Sequence, residues 1–233
     1  MLDRILEPEV MDSAAEAFDY DTMDHSHVNQ LFIDDLQHFL PSPPRGRGAG
    51  GEGKAPAQTI LDVGTGTAQI PIALCAKHPT AYVVAIDLAQ HMLRVGQAHI
   101  ERAGLAERIH LQHADAKRMP FASATFDVVM SNSIVHHIPD PYAVLAEMAR
   151  VVKPGGVLFV RDLLRPVDET ALRAFVQQYA GDANANQQRM FADSLHAALT
   201  LDEVRALVLR LDFDMATVRQ TSDRHWTWAA TQR

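Results

Sequence analysis

The chain has 233 residues, enough for one large domain with a sizeable core, and its 47% apolar and 21% charged composition excludes global disorder. A net charge of −8 speaks against a nucleic-acid partner, and the single cysteine, Cys75, excludes an internal disulfide and a cysteine-built zinc site. No stretch reaches the ~18 apolar residues of a membrane span, and the acidic first twenty residues do not read as a secretory leader, so a cytoplasmic protein is expected.

Residues 9–40 are predicted to be helical. Val28, Leu31, Phe32, Leu36 and Phe39 recur at helical spacing with a polar interruption at Asp35, and Pro41 stops the run. Residues 41–58 follow as a Gly/Pro-rich loop. Half of its residues are glycine or proline, which predicts a solvated, flexible connection.

Beyond the loop, apolar strand patterns at 59–63, 82–86, 109–112, 126–131 and 157–161 alternate with helical ones near 68–77, 89–103 and 141–151. That alternation predicts a mostly parallel sheet covered by helices on both faces. The run Lys153-Pro-Gly-Gly156 predicts a turn that launches the fifth strand. Residues 163–199 read as a helical cap inserted at the ligand edge of the sheet. Thr200 and Glu203 form a capping-box start for a helix over about 201–210. Two strands, near 214–220 and 225–230, then predict an antiparallel hairpin. Trp226 and Trp228 share one face of the last strand and are expected in the core, as is Cys75.

The chemistry concentrates where the first strand meets the first helix of the alternating region. Gly64 and Gly66 let the chain turn sharply and let a ligand approach the backbone. The helix that follows turns its free N–H groups toward the same point. Asp87, at the end of the second strand and 21 residues after Gly66, is placed to accept the hydroxyls of a ribose. The third position of the dinucleotide fingerprint holds Gln69, which disfavours close pyrophosphate packing, and Asp62 would repel a pyrophosphate but suits a cationic ligand. S-adenosylmethionine combines a ribose with an ammonium and a sulfonium.

The runs LDVGTGTAQI, VVAIDLAQHML, HADAKRMPF, FDVVMSNSIVHHIPD and RVVKPGGVLFV resemble, in order and spacing, the motifs of class I S-adenosylmethionine-dependent methyltransferases of the small-molecule branch. The resemblance covers about residues 59–162, and the upstream EAFDYDTMDHSHVN is similar in placement to the segment before the core of quinone-type C-methyltransferases. It implies a Rossmann-like fold with a seven-stranded sheet, S-adenosyl-L-methionine as cofactor and a small-molecule acceptor. It also implies that Asp62, Gly64, Thr65 and Gly66 surround the methionine part, and that Asp87 holds the ribose. Leu88 and Met92 would flank the adenine, Asp115 and Ala116 would meet its amino group, and Ser131 and Asn132 would lie near the reacting sulfur. Ala68 departs from the family, where many members carry glycine.

Methyl transfer needs alignment, exclusion of water and, for a protonated acceptor, a base. His136 and His137, after the fourth strand, are the base candidates. Tyr20, Asp24 and His25 are candidates for a lid over the substrate, with Arg161 and Arg189 as further acceptor contacts. Asp24, His25 and His27 have metal-ligand chemistry, but local spacing without a further confirmed partner is poor evidence, so no metal is assigned. A nicotinamide-dependent oxidoreductase and a non-catalytic nucleoside-binding protein remain as alternative readings at this level.

Overall fold

The computed structural model describes residues 2–8, 10, 12–40 and 58–233. The flexible loop expected at 41–58 lies outside the described residues except for Gln58, which already belongs to the first strand. Seven strands form one sheet: β1 (Gln58–Val63), β2 (Ala81–Asp87), β3 (Ile109–His113), β4 (Phe126–Asn132), β5 (Val152–Leu163), β6 (Val218–Gln220) and β7 (His225–Thr231). Their spatial order is β3-β2-β1-β4-β5-β7-β6, with β1 to β5 parallel and β7 antiparallel to both β5 and β6. The order reverses between β1 and β4, and the crevice at that switch point is where an open α/β sheet binds its ligands.

The central strands read as unbroken apolar runs because helices cover both faces. On one face, α2 (Ser26–Gln37), α3 (Gln69–Lys77) and α4 (Gln90–Arg102) bury Phe32, Ile33, Leu36, Leu74 and Ile100 against Ile60, Val83, Val128 and Phe159. On the other, α5 (Pro141–Val151) and α8 (Leu201–Arg210) pack Val144, Leu145, Met148, Val204 and Val208 with Trp226 and Trp228. Both tryptophans are fully buried, as is Cys75. The cap is a helix pair, α6 (Glu169–Ala180) and α7 (Ala185–Ala197), with its own small core of Leu172, Leu195 and Phe191.

Three sequence expectations are corrected. The helix over 9–40 is two helices, α1 (Ala14–Thr22) and α2, broken where Met23 takes an extended backbone. A box between Ser13 and Glu16 starts α1, and the Asp24 carboxylate accepts the Ser26 N–H to start α2. The turn at 153–156 does not precede β5 but sits inside it. Val152 pairs with Phe126 and Val157 with Val128, so the intervening residues bulge out around Gly155, at φ +76°. The strand expected over 214–220 shrinks to β6, because Asp214 caps a short 3₁₀ turn at Met215–Thr217.

Candidate functional site

β1 delivers Asp62 and then Gly64 to the sheet edge. The N–H groups of Gly64 and Thr65 both donate to the Ile86 carbonyl, which folds the loop back over β2. Gly64 has φ +75°, and a Cβ there would lie 1.9 Å from Ile134 Cγ2, so no other residue fits. Ala68 also takes a left-handed backbone, at φ 62°, which costs an alanine about 1–2 kcal/mol and favours glycine there.

Asp87 lies across from the loop. Its Oδ2 accepts the Gly66 N–H and its Oδ1 the Ala89 N–H, both at 2.8 Å. Burial raises its pKa against the pull of these donors. The carboxylate is thereby fixed in orientation with acceptor capacity left toward the cleft. Asp62 is 2% exposed, and burial, opposed by the Thr65 hydroxyl and reinforced by the charge of Asp87, pushes its pKa up to about 7.

One cleft at the switch point is lined by Gly64, Gly66, Asp87, Leu88, Met92, Asp115, Ala116 and Asn132. Tyr20, His137 and Ile138 border it as well. Eight of the eleven proposed cofactor residues therefore meet on one surface. Asp62, Thr65 and Ser131 stand behind it. The Ser131 hydroxyl donates to the Val63 carbonyl at 2.8 Å and is committed to holding β4 to β1. Asn132 Oδ1 is buried without a hydrogen-bond partner, an acceptor in want of a cationic or N–H donor. Asp115 is held below the usual carboxylate range: burial opposes ionisation, but the Lys117 backbone N–H and ammonium outweigh it.

Helix α1 closes the loop side. The Tyr20 ring lies beside Gly66, and its hydroxyl, buried and facing the charges of Asp87 and Asp62, has its pKa pushed up to about 12. His25 packs on that ring at 4.6 Å. Gln69 ties α1 and α2 to the start of α3 by accepting from Asn29 and donating toward Asp21.

Of the other acceptor candidates, Asp24 is exposed, and its carboxylate accepts the Ser26 N–H at the start of α2. Arg189 is exposed and bonds to Asn186 on its own helix. Arg161 projects from β5 away from the cleft, where it pairs with Asp35 at 2.5 Å and donates to the Thr227 hydroxyl. The structure brings none of these three to the cleft, and it does not gather Asp24, His25 and His27 around a common point.

The histidine pair does reach the site, and unequally. His136 is 3% exposed, with Nδ1 2.5 Å from Asp162 Oδ1. Asp162 also accepts the backbone N–H groups of Val135 and Leu163, so the carboxylate pins the turn at Val135–His137 to β5. His137 faces the cleft. Glu7 was missed by sequence reasoning: its Oε1 lies 3.1 Å from His137 Nδ1 and 3.5 Å from His136 Nε2. A contact spanning about 130 positions leaves no local signal.

Residues 61–160 match the methyltransferase domain family. A demethylmenaquinone methyltransferase of Bacillus cytotoxicus is 39% identical over 112 residues, 48% of this chain and 47% of that protein. A 27-O-demethylrifamycin SV methyltransferase of Amycolatopsis mediterranei is 27% identical over 174 residues, 73% of this chain and 60% of that protein. The chain thus spans about half the length of the quinone relative and somewhat more of the rifamycin one. Among solved structures, an S-adenosylmethionine-dependent methyltransferase of Aquifex aeolicus superposes with a TM-score of 0.65 at 17% identity, over 95% of this chain and 99% of that one. The plantazolicin methyltransferase, solved with S-adenosylhomocysteine, gives 0.67 at 15% identity over 93% and 89%. These likenesses show a shared fold. No helix among the described residues is long and apolar enough to cross a membrane.

Proposed function

We propose that this chain, which carries the domain of the class I S-adenosylmethionine-dependent methyltransferases, binds S-adenosylmethionine in the switch-point cleft and methylates a small-molecule acceptor there. The observation that carries the reading is the convergence of Gly64, Gly66, Asp87, Asp115 and the unpartnered Asn132 oxygen on one cleft. A nucleoside and an amino-acid tail suit that combination, whereas a pyrophosphate would be repelled by the carboxylates of Asp62 and Asp87. Bound there, the cofactor supplies an activated methyl group for in-line displacement.

The side chains divide the work. Asp87 accepts the ribose hydroxyls, Leu88 and Met92 sandwich the base, and Asp115 accepts from its amino group. Asn132 and, from behind, Asp62 offer oxygens to the ammonium. Tyr20 excludes water above Gly66. His137 faces the cleft and takes the acceptor's proton, with Glu7 beside it and His136 held by Asp162 behind. The names of both relatives refer to small molecules, and the chain's net negative charge fits such an acceptor better than a nucleic acid.

Calorimetric titration with S-adenosylmethionine and S-adenosylhomocysteine, with NADH as control, tests the reading. Micromolar binding of the first two and none of the third is expected. Asp87→Ala, which removes charge-assisted hydrogen bonds of about 1.5–3 kcal/mol, should weaken binding by about tenfold or more. A folded chain that binds neither, or an Asp87→Ala variant of unchanged affinity, would overturn it.

A further inference from the structure

Glu7, His136 and His137 are 10%, 3% and 14% exposed at their side chains, and one ligand atom from each lies within 4.8 Å of the others. Glu7 Oε1 and His137 Nδ1 are buried, 3.1 Å apart, and yet form no hydrogen bond of acceptable geometry. His136 Nε2 lies 3.5 Å from the same Glu7 oxygen.

The separations have a meaning. Donor atoms about 2.1 Å from a common ion lie about 3.0 Å apart at a right angle and about 3.4 Å apart at a tetrahedral one. The two Glu7–histidine separations are 3.1 and 3.5 Å. The tautomer is prepared as well. Asp162 engages His136 Nδ1, which leaves Nε2 free to ligate, and a carboxylate behind a ligating histidine is the usual support of such a site. Arg4 stands nearby, but its guanidinium is spent on the carbonyls of His136, Ile138 and Ala197. Its charge acts on Glu203 and Asp162. The Glu7 carboxylate is left to a proton on the histidine pair or to a bound cation.

We propose that Glu7, His136 and His137 form a binding site for one divalent first-row transition ion, with zinc the best match to two imidazoles and a carboxylate, at the edge of the methyl-donor cleft. Three protein ligands leave a coordination position open, as in catalytic rather than structural zinc sites. His137 borders the cleft, so that position adjoins the acceptor. The role of the site rests on the methyltransferase reading and narrows it to an acceptor that offers a hydroxyl or phenol oxygen. Coordination lowers the pKa of that oxygen and its proton leaves to solvent. The oxygen lone pair then forms the new C–O bond as the S–C bond breaks, and the sulfonium becomes a neutral thioether. With the ion bound, His137 Nδ1 is a ligand, and the ion replaces the imidazole in the activation assigned above to His137 in the metal-free chain.

The full chain, stripped with a chelator and dialysed, is titrated with zinc by calorimetry and with cobalt(II) by visible absorption. One ion per chain with a Kd below about 0.1 mM is expected, together with the cobalt bands of a four- or five-coordinate site. Glu7→Gln should weaken zinc by at least tenfold and abolish those bands, and Asp162→Asn by about 10–100-fold. His91→Gln, on a partly exposed histidine remote from the cluster, should change nothing. If Glu7→Gln fails to fold, His137→Gln decides. Zinc affinity unchanged in a folded Glu7→Gln or His137→Gln, or no uptake tighter than about 0.1 mM, overturns the site. Titration of S-adenosylmethionine in parallel keeps the readings apart: cofactor binding without zinc removes only the metal site, and zinc binding without cofactor removes only the methyl-transfer role.

Discussion

At Asp62 the structure places a carboxyl where its charge is unwelcome until a cation arrives. With a pKa of about 7 in the folded chain, against an ordinary value of 3.8, it is protonated across much of the acidic range. A cationic cofactor selects the ionised form. Below pH 7 binding must therefore release a proton, and affinity should fall by up to about tenfold per pH unit between 7 and 5. Calorimetry in buffers of different ionisation enthalpy measures the proton directly, and Asp62→Asn should flatten the profile. The linkage sign for stability follows. Between pH 3.8 and 7 the folded state holds the proton and the unfolded state does not, so the free chain loses stability as pH rises through that window. Gly64 is the second sharp residue. Alanine there meets both a left-handed backbone and Ile134, and should cost about 2–4 kcal/mol by denaturant titration. Pairing Gly64→Ala with Ile134→Ala should restore the steric part only, leaving the backbone cost behind. The roles of Gly64 and Asp87 were legible in the sequence because strand, turn and helix are local. The burial of Asp62 was not, because it depends on neighbours far along the chain.

Elements were legible where one driving force dominated. The continuous apolar runs of β1, β2 and β4 can only be buried strands, and the Thr200–Glu203 box fixes the start of α8. Boundaries failed where a short-range hydrogen bond competed with periodicity, as at Asp24, whose carboxylate restarts the helix, and at Asp214, whose cap shortens β6. Arg161 and Asp162 show why an edge position does not name a function. Successive strand residues point to opposite faces, so one meets Asp35 of α2 and the other His136. Asp162 is the tie between β5 and the turn after β4. Asp162→Asn leaves a buried imidazole without its nearer counter-charge and should destabilise the fold by about 3 kcal/mol. Chemical denaturation near pH 6 measures that loss, and hydrogen exchange should open first at residues 135–137.

Across the whole molecule, the parallel sheet with its antiparallel end was readable from the alternation of strand and helix patterns, but the way the pieces close over the cleft was not. That closure depends on residues 2–8, which carry no periodic signal. Leu2 packs on the small core of the cap, and the Ile5 N–H donates to the His136-facing cap at the His196 carbonyl of α7. Arg4 is the clamp between the two halves: its guanidinium donates to Ala197 at the end of α7 and, across the seam, to His136 and Ile138 beside the histidine turn. Of the residues held this way Ile138 borders the cleft, but none is among those proposed to hold the cofactor. Arg4→Ala should therefore leave S-adenosylmethionine affinity within about twofold of the parent, since it removes no cofactor contact. It should loosen the cap instead, raising the KM for the acceptor and lowering kcat, because Glu7 follows three residues later on the same segment and loses its anchor. Hydrogen exchange separates this from a general loss of stability. Faster exchange confined to α7 and residues 135–139 fits a clamp, whereas faster exchange throughout β1, β2 and β4 would mean that Arg4 supports the core itself.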